Sequence, residues 1–118
     1  MSNIDDSTPD WLEFNTETVE ALLADGSNPE LPHTIEYHLA GKKFDKLEKA
    51  AVDLFKAGFE VTDAEELRLD DGSTIFSFDA VKDMKLDLEA INKDTEVLLS
   101  IAEKHEVFYD GWGTYFVE

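Results

Sequence analysis

His33, His38 and His105 are the only histidines, and the chain holds no cysteine. Without cysteine there is no thiol nucleophile, zinc–thiolate centre, iron–sulfur cluster or disulfide, which suits a reducing compartment. Glu36 and His38, two residues apart, come nearest to a ligand pair. On an extended segment they share a face, but a metal site needs three or four donors and no third is specified. A lone histidine is far more often a hydrogen-bonded structural residue than a ligand. The chain carries 28 Asp and Glu, so paired carboxylates are everywhere and their spacing marks no general acid and base. Asp70-Asp71-Gly72-Ser73 and Tyr109-Asp110-Gly111-Trp112-Gly113 contain glycine but lack the base and helix start of a phosphate loop. The stretch from Asp63 to Ser73 lacks the regular carboxylate series of a calcium loop. There is no serine–histidine nucleophile signature, and a single arginine, Arg68, forms no cluster to clamp anions. The expectation is a protein that is not an enzyme and carries no metal or cofactor.

Charge is the strongest compositional fact. Ten Lys and Arg stand against those 28 acids, for a formal net charge of −18. Residues 1–41 hold nine acids and no Lys or Arg. Such a field repels a phosphate backbone, so direct nucleic-acid binding is not expected. It attracts a basic partner and speeds the encounter. Solubility alone would explain the same charge. No segment reads as a signal peptide or a membrane span, and a cytoplasmic location is expected.

The last residues read YDGWGTYF, Tyr109 to Phe116. Four aromatics and two glycines in so short a stretch exceed what a core demands, and the elements around them decide where they point. Residues 1–10 are polar and unpatterned, a flexible acidic arm ahead of one domain spanning 11–118. Residues 11–27 read as a helix with Leu12, Val19, Leu22 and Leu23 as its apolar stripe and Asp25-Gly26 as its stop. Ile35, Tyr37 and Leu39 alternate with Thr34, Glu36 and His38 as in a half-buried strand. Phe44, Leu47, Ala50, Ala51, Leu54 and Phe55 recur at helical spacing, and Gly58 sits where a left-handed cap belongs. Residues 59–69 and 74–81 read as strands joined through the Asp-Gly hairpin signal. A third helix carries Leu88, Ile91, Leu98, Ile101 and Ala102, and a last strand closes the chain.

The order α-βαββαβ predicts an α+β fold: a ferredoxin-like βαββαβ antiparallel sheet preceded by an extra N-terminal helix. Helices 43–57 and 87–105 then lie on one face, and the last strand lies at a sheet edge. On that strand, simple alternation puts Val107, Tyr109, Gly111 and Gly113 on one side and Phe108, Asp110, Trp112, Thr114 and Phe116 on the other. If the glycine side faces the helices, Trp112, Phe108 and Phe116 stand on the open face with Asp110, Glu36, His38, Glu60 and Asp79. That acidic, aromatic-bearing surface is a candidate partner-binding site. The opposite assignment makes Trp112 a core residue, and a bulge at Gly111 would disturb either pattern. The exposed Trp112 is the expectation taken forward, because the open face otherwise lacks an anchor.

YDGWGTYF, together with LEKAAVDLFKAGFEVTDAEE (Leu47 to Glu66) and ALLADGSNPE running into TIEYHL (Ala21 to Leu39), resembles the regulator of ribonuclease E activity B family, gammaproteobacterial ribonuclease E inhibitors. The three blocks keep their order and spacing over residues 21–116. Members often show His-His where this chain has Tyr37-His38. The resemblance implies a ferredoxin-like, non-catalytic protein that binds ribonuclease E through that enzyme's C-terminal scaffold region. It also implies modulation of RNA degradation and of degradosome composition. The alternative from another class is a small-molecule-binding regulatory domain of the same fold, which a pocket of convergent polar groups would favour.

Overall fold

Capping and periodicity account for the helices. The computed structural model describes residues 10–114; most of the expected arm, Tyr115 and Phe116 lie outside the described residues. Helix α1, Trp11–Ala24, starts where the Asp10 carboxylate accepts the Glu13 N–H at 3.1 Å. Strand β1, Pro32–Gly41, alternates strictly, with His33, Ile35, Tyr37, Leu39 and Gly41 buried. Helix α2, Phe44–Lys56, buries Leu47, Ala50 and Leu54. It ends at Gly58, whose φ of 104° is one that glycine tolerates and most residues do not. Strands β2, Glu60–Val61, and β3, Glu65–Arg68, are two pieces of the single strand expected at 59–69. Strand β4, Thr74–Lys85, runs four residues past its expected end. Helix α3, Leu88–His105, is capped by Asp87, and β5, Phe108–Gly113, follows it.

The sheet is antiparallel in the order β2-β4-β1-β5, with β3 also on β4, on the same edge as β2. This is the ferredoxin-like arrangement with its second strand interrupted, and β5 is at the edge as expected. The helices pack as a layer in which α3 touches both α1 and α2. Between layer and sheet lie Ile35, Tyr37, Leu39, Leu47, Leu54, Ile91 and Leu98, all essentially inaccessible. Two polar devices tie these layers together, one inside the core and one at the seam of α2 and α3. The Tyr37 hydroxyl donates to Asp94 Oδ2 at 3.0 Å, and Lys82 Nζ meets Asp94 Oδ1 at 3.1 Å while lying over the Phe59 ring. Asp94 is buried, so these two partners answer the cost of desolvating its charge. Between α2 and α3, Asp53 accepts from His105 at 2.7 Å and from Lys104 at 3.3 Å. Those bonds hold the Asp53 carboxyl below the usual range.

Two expectations fail here, each for a local reason. The α1 stripe is not Leu12, Val19, Leu22 and Leu23, because Leu12 and Leu23 are exposed. The inward line is Trp11, Asn15, Val19 and Leu22, the i, i+4, i+8, i+11 face, with Asn15 and Val19 buried and Trp11 and Leu22 partly so. Asn15 is fully buried and carries α1's polar contacts to the rest of the fold: its Nδ2 donates to Asn92 Oδ1 at 2.9 Å and to Thr95 Oγ1 at 3.0 Å. The second failure is Trp112, expected on the open face and found 5% exposed in the core. Tyr37 pairs with Trp112 and Leu39 with Tyr109, so two residues of β5, Asp110 and Gly111, oppose His38 alone. Gly111 has φ 94°, the left-handed value a bulge of this kind requires. One extra residue reverses the alternation, so Tyr109 and Trp112 both point inward.

The bulge separates the two glycines. At Gly113 an added Cβ would come no nearer than 4.0 Å to His38 Nε2, with no positive φ. At Gly111 it would touch Trp11 and Phe14 at ordinary distances, 3.5 and 3.6 Å, but the backbone would be strained. Gly111→Ala is therefore expected to cost roughly 1–2 kcal/mol. Gly113→Ala should stay within about 0.5 kcal/mol. Urea melts of the two variants check this, and equal costs would contradict the bulge.

Candidate functional site: the open face of the sheet

Among the described residues, the helices cover one side of the sheet and nothing covers the other. Cross-strand partners share a face, so the register gives the bare side row by row. One row runs Gly113, Glu36, Val81, Glu60. The next holds Asp110 at the bulge, His38 and Asp79, beyond which Thr62 bonds to the Asp79 backbone. The third runs Phe108, Ala40, Ser77, Glu65, and the last pairs Ile75 with Leu67. On the other flank Thr34 Oγ1 donates to Asp83 Oδ1 at 2.8 Å.

Of the sequence-derived candidates, Glu36, His38, Glu60, Asp79, Phe108 and Asp110 all stand on this face. Trp112 does not: it lies beneath it, its Nε1 donating to Asn15 Oδ1 at 2.7 Å. Phe116 lies outside the described residues. The strict alternation of β1 made Glu36 and His38 legible. The bulge hid the fate of Trp112.

His38 Nδ1 and Asp79 Oδ1 are 2.8 Å apart, and both side chains are partly exposed. This pair fixes the ring at the centre of the face. Around it, a hollow of about 320 Å³ is lined by His38, Ala40, Leu67, Ile75, Asp79 and Asp110 among others. Phe108 is 55% exposed. Leu67 and Ile75 were not among the candidates, and continuing the β3 and β4 parities beyond the hairpin would have found them. Asp83 was missed because β4 runs beyond its expected end.

From Thr34 to Ala40 and across to β3, no Lys or Arg projects from this face among the described residues. Glu36, Glu60, Glu65, Asp79, Asp83 and Asp110 do. Such a surface concentrates negative potential around a small apolar rim. It can attract cationic side chains and seat an apolar one. It holds no nucleophile paired with a base, and no group of three or more His, Asp or Glu placed to hold a metal ion occurs among the described residues. The other two histidines are engaged elsewhere: buried His33 bonds Ser27 Oγ at 2.9 Å and Leu31 O at 2.8 Å, and His105 bonds Asp53. No helix among the described residues is long and apolar enough to cross a membrane.

Residues 12–114 match the family described as Regulator of ribonuclease activity B. A protein of that name from Pseudoalteromonas atlantica is 68% identical over 109 residues, 92% of this chain and 93% of its own length. One from Alteromonas mediterranea is 64% identical over 94% of this chain and 84% of its own, and one from Aeromonas hydrophila 63% over 92% and 95%. With a match over nearly every described residue and relatives well above half identity, the chain belongs to the regulator of ribonuclease activity B family.

Proposed function

We propose that this protein is a non-catalytic inhibitor that binds ribonuclease E, engaging the enzyme's C-terminal scaffold region, and so modulates RNA degradation and degradosome composition in the cytoplasm. The open sheet face is the contact surface. One observation carries this reading: five further carboxylates and, among the described residues from Thr34 to Ala40 and across to β3, no Lys or Arg surround the His38–Asp79 pair on an open sheet face edged by Phe108. A basic RNA-binding segment of the enzyme matches that surface in charge, and occupying it would compete with RNA. Glu36, Glu60, Asp79 and Asp110 attract the segment, His38 is held in place by Asp79, and Phe108 supplies the apolar anchor. Trp112 acts from below by packing the strand that displays Phe108 and Asp110.

Calorimetric titration with the C-terminal half of ribonuclease E tests this. Affinity should fall markedly between ~50 and ~300 mM salt, because the Debye length shrinks over that range. Phe108→Ala should weaken binding roughly tenfold or more at unchanged melting temperature, as an exposed aromatic anchor does. Salt-independent affinity would remove the electrostatic half of the reading. Full affinity in Phe108→Ala, with Asp79→Asn also silent, would remove this face.

A further inference from the structure

The helical layer stops at α2. One flank of α2 packs on α3 through Asp53 and Lys46, which contacts Glu106. The opposite flank carries Phe44, Glu48, Ala51 and Phe55, spaced four, three and four residues apart and hence aligned along the helix. Phe55 is 70% exposed and Phe44 is also exposed. Scattered exposed apolar residues are ordinary, but here two phenylalanines align on one helix flank, Phe44 lining a hollow with its ring edge against Phe76 and Phe55 three turns on. The hollow, about 220 Å³, lies between this flank and the Thr62–Ala64 connection, with Leu47 and Phe78 among its lining. Beyond it, Glu66 and Arg68 of β3 lie on the helix side of the sheet and are exposed.

We propose that this flank of α2 is a second docking surface, and that it takes a basic amphipathic helix from a partner protein. The spacing supplies the shape. From Phe44 to Phe55 is eleven residues, roughly 16 Å or three turns, and Ala51 between the two rings allows the close approach that packed helices need. The sheet beside α2 has a free place in the helical layer above β3. Charge supplies the sign. Glu48 and Asp63 line the hollow, Glu66 stands beyond it beside Arg68, and the whole chain at −18 repels an acidic helix. A second copy of this chain brings the same charge and the same acidic rim, so it is disfavoured as the occupant. The surface shares no side chain with the open-face candidates around His38 and Phe108. It therefore stands whether or not the open face binds ribonuclease E.

The probe is a synthetic helical peptide of about 18 residues, five turns, with leucine on one face and lysine elsewhere. It is titrated into the isotope-labelled full chain at ~150 mM salt, where surface attraction alone is largely screened. The expected result is saturable shifts confined to α2 and residues 62–64. Phe55→Ser, which leaves charge unchanged, should weaken binding roughly tenfold at unchanged melting temperature. Phe108→Ala should leave it as it was. Unaltered affinity in Phe55→Ser would overturn the proposal, as would shifts centred on His38, equal binding of a leucine–glutamate peptide, or no saturable binding. Dimerisation in sedimentation that Phe55→Ser abolishes would make a second copy the occupant and overturn it too.

Discussion

Trp112→Ala is expected to destabilise the protein by about 4 kcal/mol, near the middle of the range for emptying a packed aromatic site. The ring is 5% exposed and meets Phe14 edge to face at 6.4 Å between centroids. Removing it leaves a cavity between α1 and β5 and takes away the donor to Asn15 Oδ1. Asn15 also holds Asn92 and Thr95 of α3, so the damage spreads through the α1–α3 contact. Trp112→Phe separates the two contributions. It keeps most of the packing but strands a buried carbonyl, and should cost roughly 1–3 kcal/mol. Urea unfolding of both variants beside Phe108→Ala makes the check, since Phe108, four residues away and exposed, should cost no more than about 0.5 kcal/mol. A fully stable Trp112→Ala that has lost partner binding would return the tryptophan to the surface role its sequence context suggested.

Stability should fall steeply above pH 10. Burial pushes the Tyr37 hydroxyl far above its ordinary range, and the adjacent Asp94 carboxylate pushes it further in the same direction. Burial also raises Tyr109 well above the usual tyrosine value, against a smaller lowering from the nearby Thr95 side chain, and among the described residues its hydroxyl makes no hydrogen bond of normal geometry. Both raised groups are neutral when protonated. In the unfolded chain they ionise near pH 10, while the folded chain keeps its protons. The stabilisation is thus fully present below that pH and lost as pH rises through it. Each tyrosine contributes roughly 1.4 kcal/mol per pH unit, about 2.7 kcal/mol for the pair. Unfolding midpoints measured between about pH 9.5 and 11.5 test this, with Tyr109→Phe halving the slope. That variant loses at most a weak contact with Thr95 at neutral pH, whereas Tyr37→Phe strands one oxygen of Asp94. A double Phe variant with the original slope would mean that other groups govern alkaline unfolding.

The sequence by itself determined the order of elements, the antiparallel sheet with helices on one side, and most of its open face. Those follow from repeating signals, the period-two burial of β1 and the helical spacing of Leu47, Ala50 and Leu54, which any register of packing must respect. Family membership was also legible, because Tyr109 to Phe116 and the two longer blocks are unusual in kind. Only the tertiary structure decided which way Trp112 points. Alternation along β5 holds only until the bulge, and the bulge is a property of the pairing with His38, visible in no single strand. It likewise decided that α1 docks through Asn15 rather than Leu12 and Leu23. An apolar pattern does not register a buried amide, and Asn15 belongs inside only once Trp112, Asn92 and Thr95 have come from distant parts of the chain to satisfy it.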